Sequence, residues 1–133
     1  KRLAVDAARE TFRRFLTAGK HVIFMSDVPI LGFDPRSCIK RAGVASSATR
    51  APCAITRSEW DAQIAQHKEI LARFAKEFPQ IEWFDSAASL CDGAYCHAMI
   101  DGRLMFRDAD HLSHDGDLLV GRRFAERPPY RAP

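Results

Sequence analysis

The chain has 133 residues, 47% of them hydrophobic, and carries 20 Lys and Arg against 17 Asp and Glu, which is one soluble globular domain's worth of sequence with enough apolar residues for a core. A net charge of +3, with the basic residues scattered, argues against a nucleic-acid surface. No apolar run approaches the roughly 18 residues of a membrane span, and no signal peptide opens the chain; because residue 1 is Lys1 and not Met, an upstream segment is expected.

Residues 1 to about 18 are predicted as an amphipathic helix, with Ala4, Ala8, Phe12, Phe15 and Leu16 on one face and Gly19 at the C′ position. His21-Val22-Ile23-Phe24-Met25 is apolar without polar alternation, which predicts a strand buried on both faces in a parallel, helix-covered sheet. His21 is expected to be structural. The loop from Ser26 to Pro35 leaves the C-terminal end of that strand, where open α/β sheets place their sites; a Pro- and Gly-punctuated surface connection is the plainer reading. From Ser37 to Pro52 the chain is polar and rich in small residues, an irregular excursion with Cys38 and Cys53 near its two ends.

Thr56 and Glu59 fit a capping box. The helix they start carries Trp60, Ile64, His67, Leu71, Phe74 and Phe78 at helical spacing and is stopped by Pro79; His67 is expected at the edge of the core. Ile81 to Asp85 is the next strand candidate, and Ser86 to Leu90 a short helical or turn segment. Cys91 to Cys96 forms a tight loop. His97 to Ile100 and Arg103 to Phe106 flank Asp101-Gly102, the sequence signal for a type I′ hairpin. A short final helix holds Leu118, Leu119, Val120 and Phe124, and residues 127–133 read as a tail.

Four cysteines sit beside loops, and none forms Cys-x-x-Cys. Cys91, Cys96 and His97 with a distant Cys could hold zinc, although the spacing typical of such sites is missing. Of the three possible disulfide pairings, the sequential one, Cys38 with Cys53 and Cys91 with Cys96, closes two local loops. Two disulfides imply an oxidising compartment.

The stretch Asp108-Ala109-Asp110-His111-Leu112-Ser113 carries the chemistry. In a helical turn, positions i and i+3 share a side, so Asp108 reaches the His111 ring while Asp110 points elsewhere. A carboxylate on Nδ1–H fixes the tautomer and leaves Nε2 free to take a proton from a nucleophile, as in a hydrolase triad. The plainer alternative is a helix N-terminus in which acidic residues complement the dipole and Ser113 is the cap.

Three stretches carry a family resemblance: Ala18 to Ile23 with Val28-Pro29, Leu90 to Cys96, and Asp101 to Ser113 with Gly116 behind it. A hairpin followed by Asp-x-x-His-Leu-Ser resembles the closing block of the SGNH (GDSL-like) hydrolase domain fused to bacterial acyltransferase-3 membrane proteins, which O-acylate surface polysaccharides. The likeness runs through most of the chain except Ile39 to Pro52. It implies an α/β, flavodoxin-like three-layer fold, of which residues 1–133 would be a C-terminal portion: part of the parallel sheet, its flanking helices and a C-terminal hairpin. It also implies a Ser-His-Asp triad in which Asp108 orients His111, with no metal and no cofactor. The family's exported character, with the position of the cysteines at loop bases, implies oxidised Cys38–Cys53 and Cys91–Cys96 pairs. The implied partners are an acyl donor, a sugar acceptor and an upstream membrane acyltransferase domain, placing the chain in the periplasm on a bacterial inner-membrane protein. The family's Gly-Asp-Ser nucleophile block and oxyanion Gly and Asn blocks have no counterpart here. An O-acyl esterase or transferase whose serine lies upstream, and a non-catalytic interaction or carbohydrate-contacting remnant, are therefore both compatible with the sequence.

Overall fold

The computed structural model describes residues 2–40 and 49–127. Helix α1 (Arg2–Thr17) ends where Gly19 adopts φ 67°. The Lys20 amide then reaches the Phe15 carbonyl and the Gly19 amide the Leu16 carbonyl, the two bonds of a Schellman cap. Its packed row is Val5, Ala8, Phe12 and Leu16. Ala4 is exposed and Phe15 is 50% exposed, contrary to the sequence expectation, because both lie one residue to the side of the row that the tertiary contacts select.

Strands β1 (Ile23–Met25) and β3 (Glu82–Phe84) pair in parallel, Phe24 opposite Trp83. Side chains alternate across such a strand, and the two faces meet different layers. Phe24 and Trp83 face α1 and helix α2 (Arg57–Glu77), where Phe12, Phe74, Phe78 and Ile81 form one core. Ile23 and Phe84 face helix α3 (His114–Glu126) and a second core of Leu31, Leu90, Ala98, Met105, Phe106 and Val120, with the Phe84 and Phe124 rings edge-on at 5.2 Å. Helices, parallel sheet, helix: this is the three-layer α/β arrangement. The full burial expected for β1 is not realised, since its strand is only half-buried and Met25 is 47% exposed. Among the described residues the parallel sheet has two strands. The ladder uses the Val22 carbonyl and the Ser26 amide. Ile23 and Met25 therefore turn their N–H and C=O groups to the opposite edge, where no described backbone group meets them.

A second pairing, β2 (Ala54–Thr56) antiparallel to β4 (Tyr95–His97), was not legible in the sequence. Three residues are too few for a period, and the strands are defined by burial of Ile55 and Cys96 under Trp60 and Ala87. The capping box forms as its spacing predicts: the Thr56 hydroxyl accepts from the Glu59 amide at 3.2 Å and the Glu59 carboxylate accepts from the Thr56 amide at 2.6 Å. His67 is exposed, not at the core edge. Short 3₁₀ turns occupy Pro35–Cys38 and Ser86–Ser89. The hairpin β5 (Met99–Ile100) and β6 (Arg103–Leu104) turns on Asp101 at φ 50° and Gly102 at φ 74°, as a type I′ turn requires. His97 belongs to β4 and not to the hairpin arm.

The excursion expected from Ser37 to Pro52 lies partly outside the described residues; its two ends are tied by the Arg50 amide on the Ser37 carbonyl at 2.9 Å. Of the tail expected at 127–133, residues 128–133 lie outside the described residues, while Arg127 is anchored, its Nε donating to Glu82 at 2.6 Å. No helix among the described residues is long and apolar enough to cross a membrane.

Cys38 is bonded to Cys53 across 15 residues and Cys91 to Cys96 across 5, which consumes the thiols a zinc site would need. A closed loop of 15 residues is worth about 3 kcal/mol in the chain-entropy account. Paired Cys38→Ser and Cys53→Ser replacement should lower the urea-derived unfolding free energy by about that amount, and an unchanged midpoint would show that the ends of the excursion are held by packing alone.

Candidate active site

The segment after β6 folds back on itself. Phe106 and Leu112 form a β-bridge, the Arg107 amide donates to the His111 carbonyl at 3.0 Å, and the Ser113 amide to the Met105 carbonyl at 2.9 Å. Met105 and Phe106 are buried, so the loop Arg107 to His111 stands on a core foundation with its tip in solvent. The loop is not the helical turn the spacing suggests; it is bent around the Asp108 carboxylate. Asp108 Oδ1 accepts from the backbone amides of His111 at 2.8 Å and Asp110 at 3.2 Å, the self-bonding turn that Asp favours.

The same carboxylate holds the imidazole. His111 Nδ1 lies 3.0 Å from Asp108 Oδ1 and 3.1 Å from Oδ2, which assigns the ring proton to Nδ1 and leaves the Nε2 lone pair available. The His111 side chain is 59% exposed. Desolvation pushes the Asp108 carboxyl upward, but the Asp110 and His111 amides and the His111 ring outweigh it and hold it well below the usual carboxylate range. Asp110 does not point elsewhere as the spacing argument expects: its Oδ1 is also 3.1 Å from Nδ1. In a bend, unlike a helix, adjacent side chains can converge.

The loop leaving β1 reaches this site. The Leu31 amide donates to the Ala109 carbonyl at 2.7 Å, and Leu31 is 3% exposed, so the end of the parallel strand and the imidazole loop are physically joined. Arg36, paired with Asp34, feels the Asp108 charge, and Arg107 Nε is 3.5 Å from Asp108. Ser113 is spent as the α3 cap: its hydroxyl donates to the Leu104 carbonyl at 2.6 Å and accepts from the Gly116 amide at 3.1 Å. Ser26 and Ser86 join each other beside Asp85 at the ends of β1 and β3. Beside those ends, an apolar cleft of about 740 Å³ opens between the sheet and α2, lined by Met25, Ile30, Trp60, Ile64, Leu71 and Trp83.

A second carboxylate–imidazole pair escaped sequence reasoning. Asp92 accepts from the Ala94 and Tyr95 amides, and its other oxygen meets His97 Nε2 at 2.7 Å. An Asp opening a Gly-containing tight loop was the available signal. The His97 ring, then the Tyr95 and Ala94 amides, hold the Asp92 carboxyl well below the usual range. Asp92 and Asp108 thus both titrate lower folded than unfolded. Their contribution to stability is complete above the ordinary value of 3.8 and is lost as pH falls through it toward the folded values. Urea midpoints should drop between neutral pH and about pH 3, and the drop should be smaller in Asp92→Asn; an equal drop would remove Asp92 from the acid-sensitive set.

No curated protein and no solved structure matches the chain. The profile of the family described as "SGNH domain (fused to AT3 domains)" matches residues 1–126, from the first helix to the end of α3. With that match over the three-layer frame that carries the Asp108–His111 loop, the chain belongs to the SGNH domains fused to AT3 domains, a hydrolase and acyl-transfer family.

Proposed function

We propose that this domain serves O-acyl transfer, with acetyl the expected group, or ester hydrolysis on a cell-surface polysaccharide, with His111 as the base and Asp108 as its orienting carboxylate. The observation that supports this reading most directly is the Nδ1 contact of His111 with Asp108 at 3.0 Å on a side chain open to solvent. In the proposed cycle, Nε2 takes the proton of a serine hydroxyl as that oxygen attacks the acyl carbonyl. The imidazolium, stabilised by Asp108, then protonates the leaving oxygen. The acyl-serine is resolved by a sugar hydroxyl in transfer or by water in hydrolysis, His111 removing that proton and returning it to the serine oxygen as the acyl–serine bond breaks.

Ser113 is committed to its cap and the chain holds no Gly-Asp-Ser block, so in this reading the nucleophile is expected on an upstream segment of the same polypeptide, with residues 1–133 the C-terminal portion of one SGNH domain. The edge of β1 that is unpaired among the described residues supports this, being a place where a further parallel strand would add. The AT3 domain of the same polypeptide would supply the acyl donor, and two disulfides fit a periplasmic setting.

The test has two arms. Chain 1–133 alone should not turn over p-nitrophenyl acetate and should self-associate on a sizing column through the open β1 edge. The polypeptide extended upstream to include a Gly-Asp-Ser block should be a monomeric esterase. Serine-dependent turnover by monomeric 1–133 would overturn the reading, as would an inactive extended domain that folds.

A further inference from the structure

Asp108 has many partners. One oxygen takes two backbone amides and the imidazole, and the other also faces Arg107. Asp110 has one: among the described residues its carboxylate meets only His111 Nδ1, at 3.1 Å. That distance equals the Asp108 Oδ2 contact, although the Asp110 oxygen lacks the alignment of a hydrogen bond along the N–H direction. Two carboxylates therefore converge on one ring nitrogen, while the far side of the ring stays free of protein partners among the described residues.

We propose that Asp110 is a second positioning carboxylate for His111, sharing with Asp108 the task of keeping the proton on Nδ1. The division of labour follows from the contacts. Asp108 must build the turn, and its charge is already drawn upon by two amides and a guanidinium. Asp110 bonds no backbone group, so its charge is directed at the ring alone. When His111 takes up a second proton, the imidazolium meets two negative groups. The role rests on the reading of His111 as the base, but its test requires no substrate, so the two can fail separately.

The measurement is the ¹⁵N spectrum of the His111 ring in labelled chain 1–133 at a pH where the ring is neutral, with Nδ1 and Nε2 distinguished by their shifts. Wild type should be the Nδ1–H tautomer. Asp110→Asn, which disturbs no backbone bond, should raise the Nε2–H to Nδ1–H ratio about two-fold, the size expected of one exposed charge pair, and Asp110→Glu should restore it. Asp108→Asn should keep a substantial Nδ1–H share that Asp108→Asn with Asp110→Asn abolishes. An unchanged ratio in Asp110→Asn overturns the proposal, as does an Asp108→Asn single variant already identical to the double. If the amide shifts of residues 107–113 show that Asp108→Asn has lost the turn, the Asp110→Asn and Asp110→Glu spectra alone decide.

Discussion

Replacing His111 with Ala in the upstream-extended polypeptide will lower ester turnover by about 10⁴-fold or more, with KM little changed. The magnitude follows from what is removed. A serine hydroxyl is a poor nucleophile until its proton has somewhere to go, and the geometry offers Nε2 of this ring for that purpose. The fold should survive the change. The ring is 59% exposed, and the turn is built by backbone groups of residue 111, its amide on Asp108 and its carbonyl accepting from Arg107, which Ala retains. Stability should therefore shift by no more than about 0.5 kcal/mol. Steady-state kinetics with p-nitrophenyl acetate beside a thermal melt read both. A fully active His111→Ala enzyme would remove the triad reading, and an unfolded one would show that the ring supports the loop instead of working from it.

Gly116→Ala will be strongly destabilising. Gly116 is buried in the first turn of α3 against the segment after β6, and a methyl there would collide with the Met105 carbonyl oxygen and press the Leu112 side chain at 3.2 Å. That carbonyl cannot yield cheaply, because it also accepts the Ser113 amide. Moving it would shift the floor of the Asp108–His111 loop. Overpacking against backbone should cost about 3 kcal/mol, roughly a 10 °C loss of melting temperature for a domain of this size. Gly121 is the control. It lies in the same helix with nothing within 4 Å of an added Cβ, so Gly121→Ala should stabilise by about 0.5–1 kcal/mol through helix propensity. Equal effects at the two positions would show that α3 does not press on the loop as the structure has it.

What could be read from the sequence was local chemistry. Thr56 with Glu59 announces the start of α2 because both capping partners lie within one turn. Asp101-Gly102 announces the hairpin because few residues tolerate its positive φ, and Gly19 marks the end of α1 for the same reason. The nearness of Asp108 and His111 was legible too, since three residues of spacing allow contact in a bend as well as in a helix. Other features depended on which distant surfaces meet. The row of α1 that packs is set by Phe74, Phe78 and Trp83 far along the chain, so Phe15 could not be told from Phe12. The β2–β4 pairing joins residues about forty positions apart in strands too short for a pattern. Asp110 reached the ring because the bridge between Phe106 and Leu112 replaced a helical turn with a bend. The seating of the Leu31 loop on Ala109, which ties the end of β1 to the imidazole, is a single backbone bond between segments 78 residues apart, from 31 to 109. Side-chain identity sets the short-range bonds of this domain. The orientation of its helices follows from long-range burial, which no window of sequence contains.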